Sequence, residues 1–179
     1  RMVYTSDHGE LFGAQGLFGK RSLFEGAVGV PLILAGPGIQ AGHVSEQLVS
    51  HVDLFSTLID MTGAQPQPSD ADLPGVSLWP AAQGQDDLER PVFAEYHAQG
   101  SRSAAYLVRQ KNDKMIVHVG MPTQTFDLHA DPDELHDLHS TAQGDAIERR
   151  LMPVLLSICD PQLQDDRAKA AQRAKAEVY

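Results

Sequence analysis

The sequence predicts an α/β fold in two parts: an α/β layer over residues 1–90 and a small antiparallel sheet with a terminal helix over residues 91–179. Three observations carry this expectation. Two apolar, β-prone runs near the start bracket a glycine-rich loop. A helical spacing of apolar residues follows, running up to Gly63. Four short strand-like segments then succeed one another with polar turns between them, before a last helical stripe.

In chain order, Met2 to Ser6 reads as a buried strand that ends on Asp7-His8-Gly9, so polar side chains arrive at its C-terminal edge. Gly9, Gly13, Gly16 and Gly19, with Phe12, Phe18 and Phe24, are too glycine-rich for a regular helix and predict an ordered loop. Val28 to Ala35 predicts a second strand, which Gly36-Pro37-Gly38 stops. From Ser50, an N-cap with Asp53 three residues on, Val52, Phe55, Leu58 and Ile59 predict a core-facing helix that Gly63 ends. Ala64 to Gly75, with Pro66, Pro68 and Pro74, predicts a surface loop. Val92 to Tyr96, Ala104 to Arg109, Lys114 to Val119 and Gln124 to Leu128 predict an antiparallel meander. Gln143 to Ile158 predicts a helix with Ile147, Leu151, Leu155 and Ile158 on one stripe, kinked or restarted at Pro153. After Pro161 the chain reads as a polar, alanine- and charge-rich tail without an apolar stripe.

Fourteen basic against twenty-four acidic residues give a formal charge of −10, which repels phosphate backbones, and no basic cluster offsets it; nucleic acid is not an expected partner. The apolar runs are far shorter than the roughly 20 residues that span a bilayer, so no membrane span is expected. A single cysteine, Cys159, rules out an internal disulfide and favours a reducing, cytoplasmic setting. The first residues are already strand-like and carry no signal peptide, so the chain is expected to be a fragment whose true start lies upstream.

The chemistry centres on Asp7-His8, a hard carboxylate oxygen and an imidazole nitrogen in one dipeptide, able to give two ligands to a divalent ion. Alone, such a dipeptide is more often a solvated turn than a metal site. Its surroundings are Thr5-Ser6-Asp7-His8-Gly9-Glu10, Gly16, Lys20, Phe24-Glu25-Gly26, Val30-Pro31-Leu32-Ile33 and Gly36-Pro37-Gly38. Together they resemble the second signature of the sulfatase family, within the alkaline phosphatase superfamily. His51-Val52-Asp53-Leu54-Phe55, Leu73-Pro74-Gly75-Val76-Ser77-Leu78 and Phe126-Asp127-Leu128 with Asp131-Pro132-Asp133-Glu134-Leu135 are similar to later segments of that family, in the same order. His8 and Ala94-Glu95-Tyr96-His97 look closer to the choline-sulfatase and phosphonate monoester hydrolase branch.

The resemblance implies the C-terminal part of an alkaline-phosphatase-like α/β sandwich followed by an antiparallel subdomain. It implies a small sulfate-ester substrate, Asp7 and His8 as metal ligands, and Lys20 as a catalytic, sulfate-binding lysine. The metal is expected to be calcium, with manganese as the choice an imidazole ligand would favour. A formylglycine nucleophile made from Cys or Ser, with two further metal-binding aspartates, is expected upstream of Arg1, so these residues alone are expected to be inactive. Cys159-Asp160-Pro161-Gln162-Leu163 lacks the arginine of the nucleophile motif, and Cys159 is read as structural. Glu95 and His97 flank Tyr96 and share one strand face, where they either line the substrate pocket, facing a cationic leaving group such as choline, or form an ordinary sheet-edge pair. Two other functions remain open: phosphonate monoester or phosphodiester hydrolysis, and an inactive binding or assembly module whose polar tail packs on another copy; separately, apolar surface exposed by an incomplete sheet is expected to favour a homo-oligomer.

Overall fold

The structure is a computed structural model that describes residues 1–97 and 101–176; the last three residues of the predicted polar tail, 177–179, lie outside that range. Two compact units form, one from Arg1–Ser6 with Pro31–Val92 and the other from Asp7–Val30 with Phe93 onward. The last break between them falls after Val92. The loop after Ser6, however, groups with the C-terminal half, because its side chains bond to strands there.

In the first unit, β1 (Met2–Thr5) and β2 (Leu32–Ala35) form a two-stranded antiparallel sheet that pairs Met2 with Ala35 and Thr5 with Leu32. The strand expected from Val28 begins only at Leu32, since α1 (Glu25–Val28) takes up the preceding residues as one helical turn. β1 is not the buried strand expected, for Met2 and Tyr4 are exposed. The helix read from Ser50 is α2 (Asp53–Thr62), closed by Gly63 in the left-handed region. Its orientation corrects the sequence reading: Val52, Phe55 and Leu58 are exposed, and the buried positions are Asp53, Thr57 and Met61.

Polar bonding selects that face. Arg90 grips the fully buried Asp53 carboxylate bidentately, at 2.7 Å from Nη1 to Oδ2 and 2.6 Å from Nη2 to Oδ1. The same carboxylate accepts the backbone N–H groups of Ser50 and Val76. Thr57 Oγ1 accepts the N–H of Leu78, just before α3 (Trp79–Ala82). Gly75 lies against the start of α2 at a φ of +99°, and a Cβ there would stand 2.2 Å from the Val52 carbonyl oxygen, so only glycine fits.

In the second unit, β3 (Val92–Tyr96), β4 (Ala105–Gln110), β5 (Asp113–His118) and β6 (Gln124–Asp127) lie side by side in that order, as the meander reading predicts. β4 pairs antiparallel with β5, and β5 with β6. Alternation sends Tyr106, Val108 and Met115 to one face, where Ile147, Leu151 and Leu155 of α4 (Ala142–Ile158) cover them. The opposite face carries Ala105, Leu107, Ile116 and Phe126, which pack against Leu23 and Phe24 of the loop. Phe24 meets Phe126 edge-on, with ring centroids 6.0 Å apart.

α4 runs through Pro153 without the expected break. Pro153 is solvent-exposed, so the carbonyl it leaves without an N–H partner can turn to water. The tail is a second helix, α5 (Pro161–Ala176), held by a polar anchor where no apolar stripe exists. Asp165 is buried, accepts the Ala104 N–H at 2.7 Å, and pairs with Lys169 at 2.6 Å.

Two outcomes are expected. Asp53→Ala leaves Arg90 facing an empty buried site and lowers stability by about 3 kcal/mol, the magnitude of a broken buried ion pair, read as a shift in the urea midpoint. The Lys169 hydrogen bond, followed by that of the Ala104 N–H, holds the Asp165 carboxyl below the ordinary carboxylate range. A carboxyl lowered in the folded state stabilises it when ionised, so its contribution is complete above the unfolded value and is lost as pH falls through the folded one. Hydrogen exchange at Ala104 therefore accelerates at acidic pH, below the ordinary carboxylate range, and Asp165→Asn removes that pH dependence.

Candidate active site

β1 ends at Thr5, and Asp7 and His8 open the loop that follows. His8 Nδ1 lies 2.7 Å from the carbonyl oxygen of Gly9, which makes that nitrogen the donor and turns Nε2 toward the Asp7 carboxylate, 3.4 Å away at Oδ2. The Asp7 side chain is 84% exposed. As a donor set the pair fits a hard or borderline cation: two ligands at ~2.4 Å and a right angle stand ~3.4 Å apart. The backbone carbonyl on Nδ1 fixes the ring and its tautomer, the outer support that metal-bound histidines ordinarily have. Among the described residues no third acidic, histidine or cysteine side chain joins them, so these two would supply part of a coordination shell.

The loop folds back on this pair. Gly9 N–H donates to the Ala27 carbonyl at 2.8 Å, and a Cβ at Gly9 would stand 2.1 Å from the Gly26 oxygen, so the close approach requires glycine. Glu10 Oε1 accepts the N–H groups of Gly19 at 2.5 Å and Phe12 at 3.3 Å. Those bonds, Gly19 first, hold the Glu10 carboxyl below its ordinary range and keep it ionised. Glu10 thereby ties the residue before Lys20 to a position two residues past His8. Lys20 itself is exposed, with no side-chain hydrogen bond or ion pair among the described residues.

Underneath, the loop is riveted to the sheet. Lys114 has no exposed surface, and its Nζ lies 2.9 Å from Glu25 Oε1 and 2.7 Å from Glu134 Oε1. The second of these is an ionic contact outside hydrogen-bond angles. Glu134 Oε2 accepts the Glu25 N–H at 2.6 Å, and Arg109 Nη1 donates to Glu25 Oε2 at 2.7 Å. Gln15 Nε2 adds a clip to the carbonyls of Asp133 and Glu134. The acidic turn Asp131-Pro132-Asp133-Glu134 thus contributes a buried carboxylate.

Sequence reasoning quoted Glu25 and Glu134 within motifs but gave neither a role, and it passed over Lys114. The available signal was a lysine at an inward position of an otherwise apolar strand, in Asp113-Lys114-Met115-Ile116-Val117.

Glu95 and His97 do share a strand face, 3.1 Å apart. It is the face that carries α4: His97 packs edge-on against Tyr106 with centroids 5.4 Å apart, and Phe93 of the same face stacks on that ring. Tyr96, between them, faces the side on which the loop packs.

The loop thus presents a carboxylate, an imidazole and a lysine that is unpaired among the described residues, beside a meander backed by a helix. Residues 13–160 match the model of the C-terminal part of N-sulphoglucosamine sulphohydrolase, and the chain belongs to the sulfatase family. It is 38% identical over 144 residues to choline-sulfatase of Rhizobium meliloti (strain 1021), which covers 80% of the chain and 28% of that protein. It is 34% identical over 145 residues to arylsulfatase K of Homo sapiens, covering 75% of the chain and 26% of that protein. The chain therefore spans little more than a quarter of these relatives.

Among solved structures, phosphonate monoester hydrolase of Agrobacterium radiobacter superposes with a TM-score of 0.74 at 29% identity, over 87% of this chain and 34% of that one. A protein solved in complex with its substrate D-glucosamine-2-N,6-O-disulfate gives 0.77 at 27%, over 87% and 33%. The predicted α/β fold class is the fold these neighbours share.

Lys114→Met strands the Glu134 carboxylate without its cation and lowers stability by about 3 kcal/mol. Hydrogen exchange should localise the effect, with the Gly9, Gly19 and Ala27 amides losing protection before those of α4.

Proposed function

We propose that this chain is the metal-completing and sulfate-gripping part of a sulfuric ester hydrolase. Asp7 and His8 hold a divalent cation, calcium with manganese as the alternative, and Lys20 grips the sulfate. The observation that carries the reading is the His8 ring, oriented by the Gly9 carbonyl so that its other nitrogen faces the Asp7 carboxylate. Asp7 and His8 would hold such a cation, which when bound would supply Lewis-acid polarisation of the ester oxygens. Lys20 supplies a fixed positive charge to the transferred group and the leaving oxygen, which strengthens as charge builds there. Glu10 holds the Gly19 backbone and so limits where Lys20 can reach. A formylglycine nucleophile and the remaining metal ligands belong, on this reading, to other parts of the full-length protein, whose substrate is a small sulfate ester.

Likeness to a phosphonate monoester hydrolase supports a second reading, hydrolysis of phosphonate monoesters or phosphodiesters, because a tetrahedral phosphoryl group makes similar demands on a cation and a lysine. Turnover of 4-nitrophenyl sulfate and of bis(4-nitrophenyl) phosphate by the full-length protein separates the two. The sulfate ester is expected to give the larger kcat/KM, and preference for the diester transfers the assignment. Lys20→Ala is expected to lower kcat by roughly 10²- to 10³-fold, as loss of one charge-stabilising donor does. Asp7→Asn and His8→Ala are expected to reduce bound metal, measured by elemental analysis of the purified protein; unchanged metal content in both would remove the ligand assignment.

A further inference from the structure

Beside the loop lies a cavity of about 250 Å³ that the reading above does not use. Arg21, Ser22 and Tyr96 line it together with Arg102, Ser103 and His118, all within the second compact unit. Three features mark it as a place for an anion. Among the described residues no carboxylate lines it, although the chain as a whole carries a formal charge of −10. Neither Arg21 nor Arg102 makes an ion pair or side-chain hydrogen bond among the described residues, whereas Arg90, Arg109 and Arg150 are each paired with a carboxylate. Burial holds the His118 imidazole below its ordinary range, while Arg21 and Arg102 are both solvent-exposed.

Two like charges on one small cavity repel, and an anion between them turns that cost into two charge-assisted contacts. The guanidinium fork matches a sulfate or carboxylate oxygen pair, and the volume is ample for such a group. Arg21 directly follows Lys20, so the cavity adjoins the residue assigned to the reacting sulfate.

We infer that the Arg21–Arg102 cavity is a specificity site for a second anionic group, a sulfate or carboxylate, borne by the same substrate molecule whose ester sulfate is held at Lys20. The inference rests on the assignment of Lys20 to the reacting sulfate. It disfavours a cationic leaving group such as choline, for which two arginines are a repulsive wall.

The test uses full-length protein and a tether series: α,ω-alkanediol bis-sulfates of increasing chain length, each against the alkyl monosulfate of the same length, with inorganic sulfate alone as a further ligand, all by calorimetry. One range of tether lengths is expected to bind roughly 10- to 100-fold tighter than its monosulfate partner, the gain from charge-assisted contacts in a partly shielded site. In Arg21→Gln/Arg102→Gln that ratio is expected to fall to near one, while Arg149→Gln on the exposed side of α4 keeps it. An advantage that no tether length shows, or that survives the double substitution, overturns the inference. So does a double variant that loses affinity for inorganic sulfate while no bis-sulfate gains over its monosulfate, since the cavity would then hold free anion rather than a substrate substituent. Turnover is read separately: a tether advantage without hydrolysis of any sulfate ester keeps the anion site and refutes the hydrolase reading.

Discussion

The Lys114 ammonium, held without solvent between the carboxylates of Glu25 and Glu134, is the constraint on which the arrangement of the loop depends. Three segments far apart in the chain meet at one charge. Arg109 takes the second oxygen of Glu25, so two cations face two carboxylates and the cluster is neutral. Apolar side chains of similar volume would hold the same elements together at least as well, because desolvating ions costs about what their attraction returns. What ions add is register. A leucine contact tolerates a slide of an ångström, whereas a buried carboxylate displaced from its ammonium does not. The cost of misplacing Glu25 therefore fixes α1, and through the bonds of Gly9 to Ala27 and of Glu10 to Gly19 it fixes the backbone beside His8 and Lys20.

The sheet beneath divides its two faces between packing and chemistry. Alternation along β4 and β5 gives α4 the large apolar residues Tyr106, Val108 and Met115, and gives the loop Ala105, Leu107, Arg109, Lys114 and Ile116. The fully buried cation Lys114 thus lies on the loop's face. The same alternation decides β3, where Phe93, Glu95 and His97 go with Tyr106 while Ala94 and Tyr96 go with the loop. A strand contacting a reactive loop on one side only offers it every second residue, and here that residue is Tyr96.

How much of this could be read beforehand follows from the range over which each interaction acts. The meander was legible because strand alternation and polar turns are local, and the extent of α4 because its apolar stripe is regular. The period of α2 was equally legible, but its orientation was not. Arg90, more than thirty residues away, draws Asp53 inward and leaves Phe55 and Leu58 outside. α5 escaped because its anchor is one aspartate bonded to a distant backbone N–H rather than a row of leucines. In the candidate site, Asp7, His8 and Lys20 stand within fourteen residues of one another and form a contiguous signature. Glu25, Lys114 and Glu134 form none, because chain order says nothing about which buried lysine will meet which glutamate.

The same argument applies to charge. A formal −10 predicts an acidic surface, yet several of the acids are matched internally: Asp53 by Arg90, Glu25 and Glu134 by Lys114 and Arg109 together, and Asp165 by Lys169. Each pair cancels where it stands and contributes little to the field outside. Lys20, Arg21 and Arg102, left unpaired among the described residues, lie in one compact unit, with Lys20 and Arg21 adjacent in the loop. The potential that a small anion meets there is set by charges at short range, these cations among them, since charges beyond about 8 Å are largely screened at physiological ionic strength. An acidic protein can therefore present a locally positive entrance to an anionic substrate, and its net charge then disfavours long polyanions such as nucleic acids, whose length must also cross the acidic surroundings.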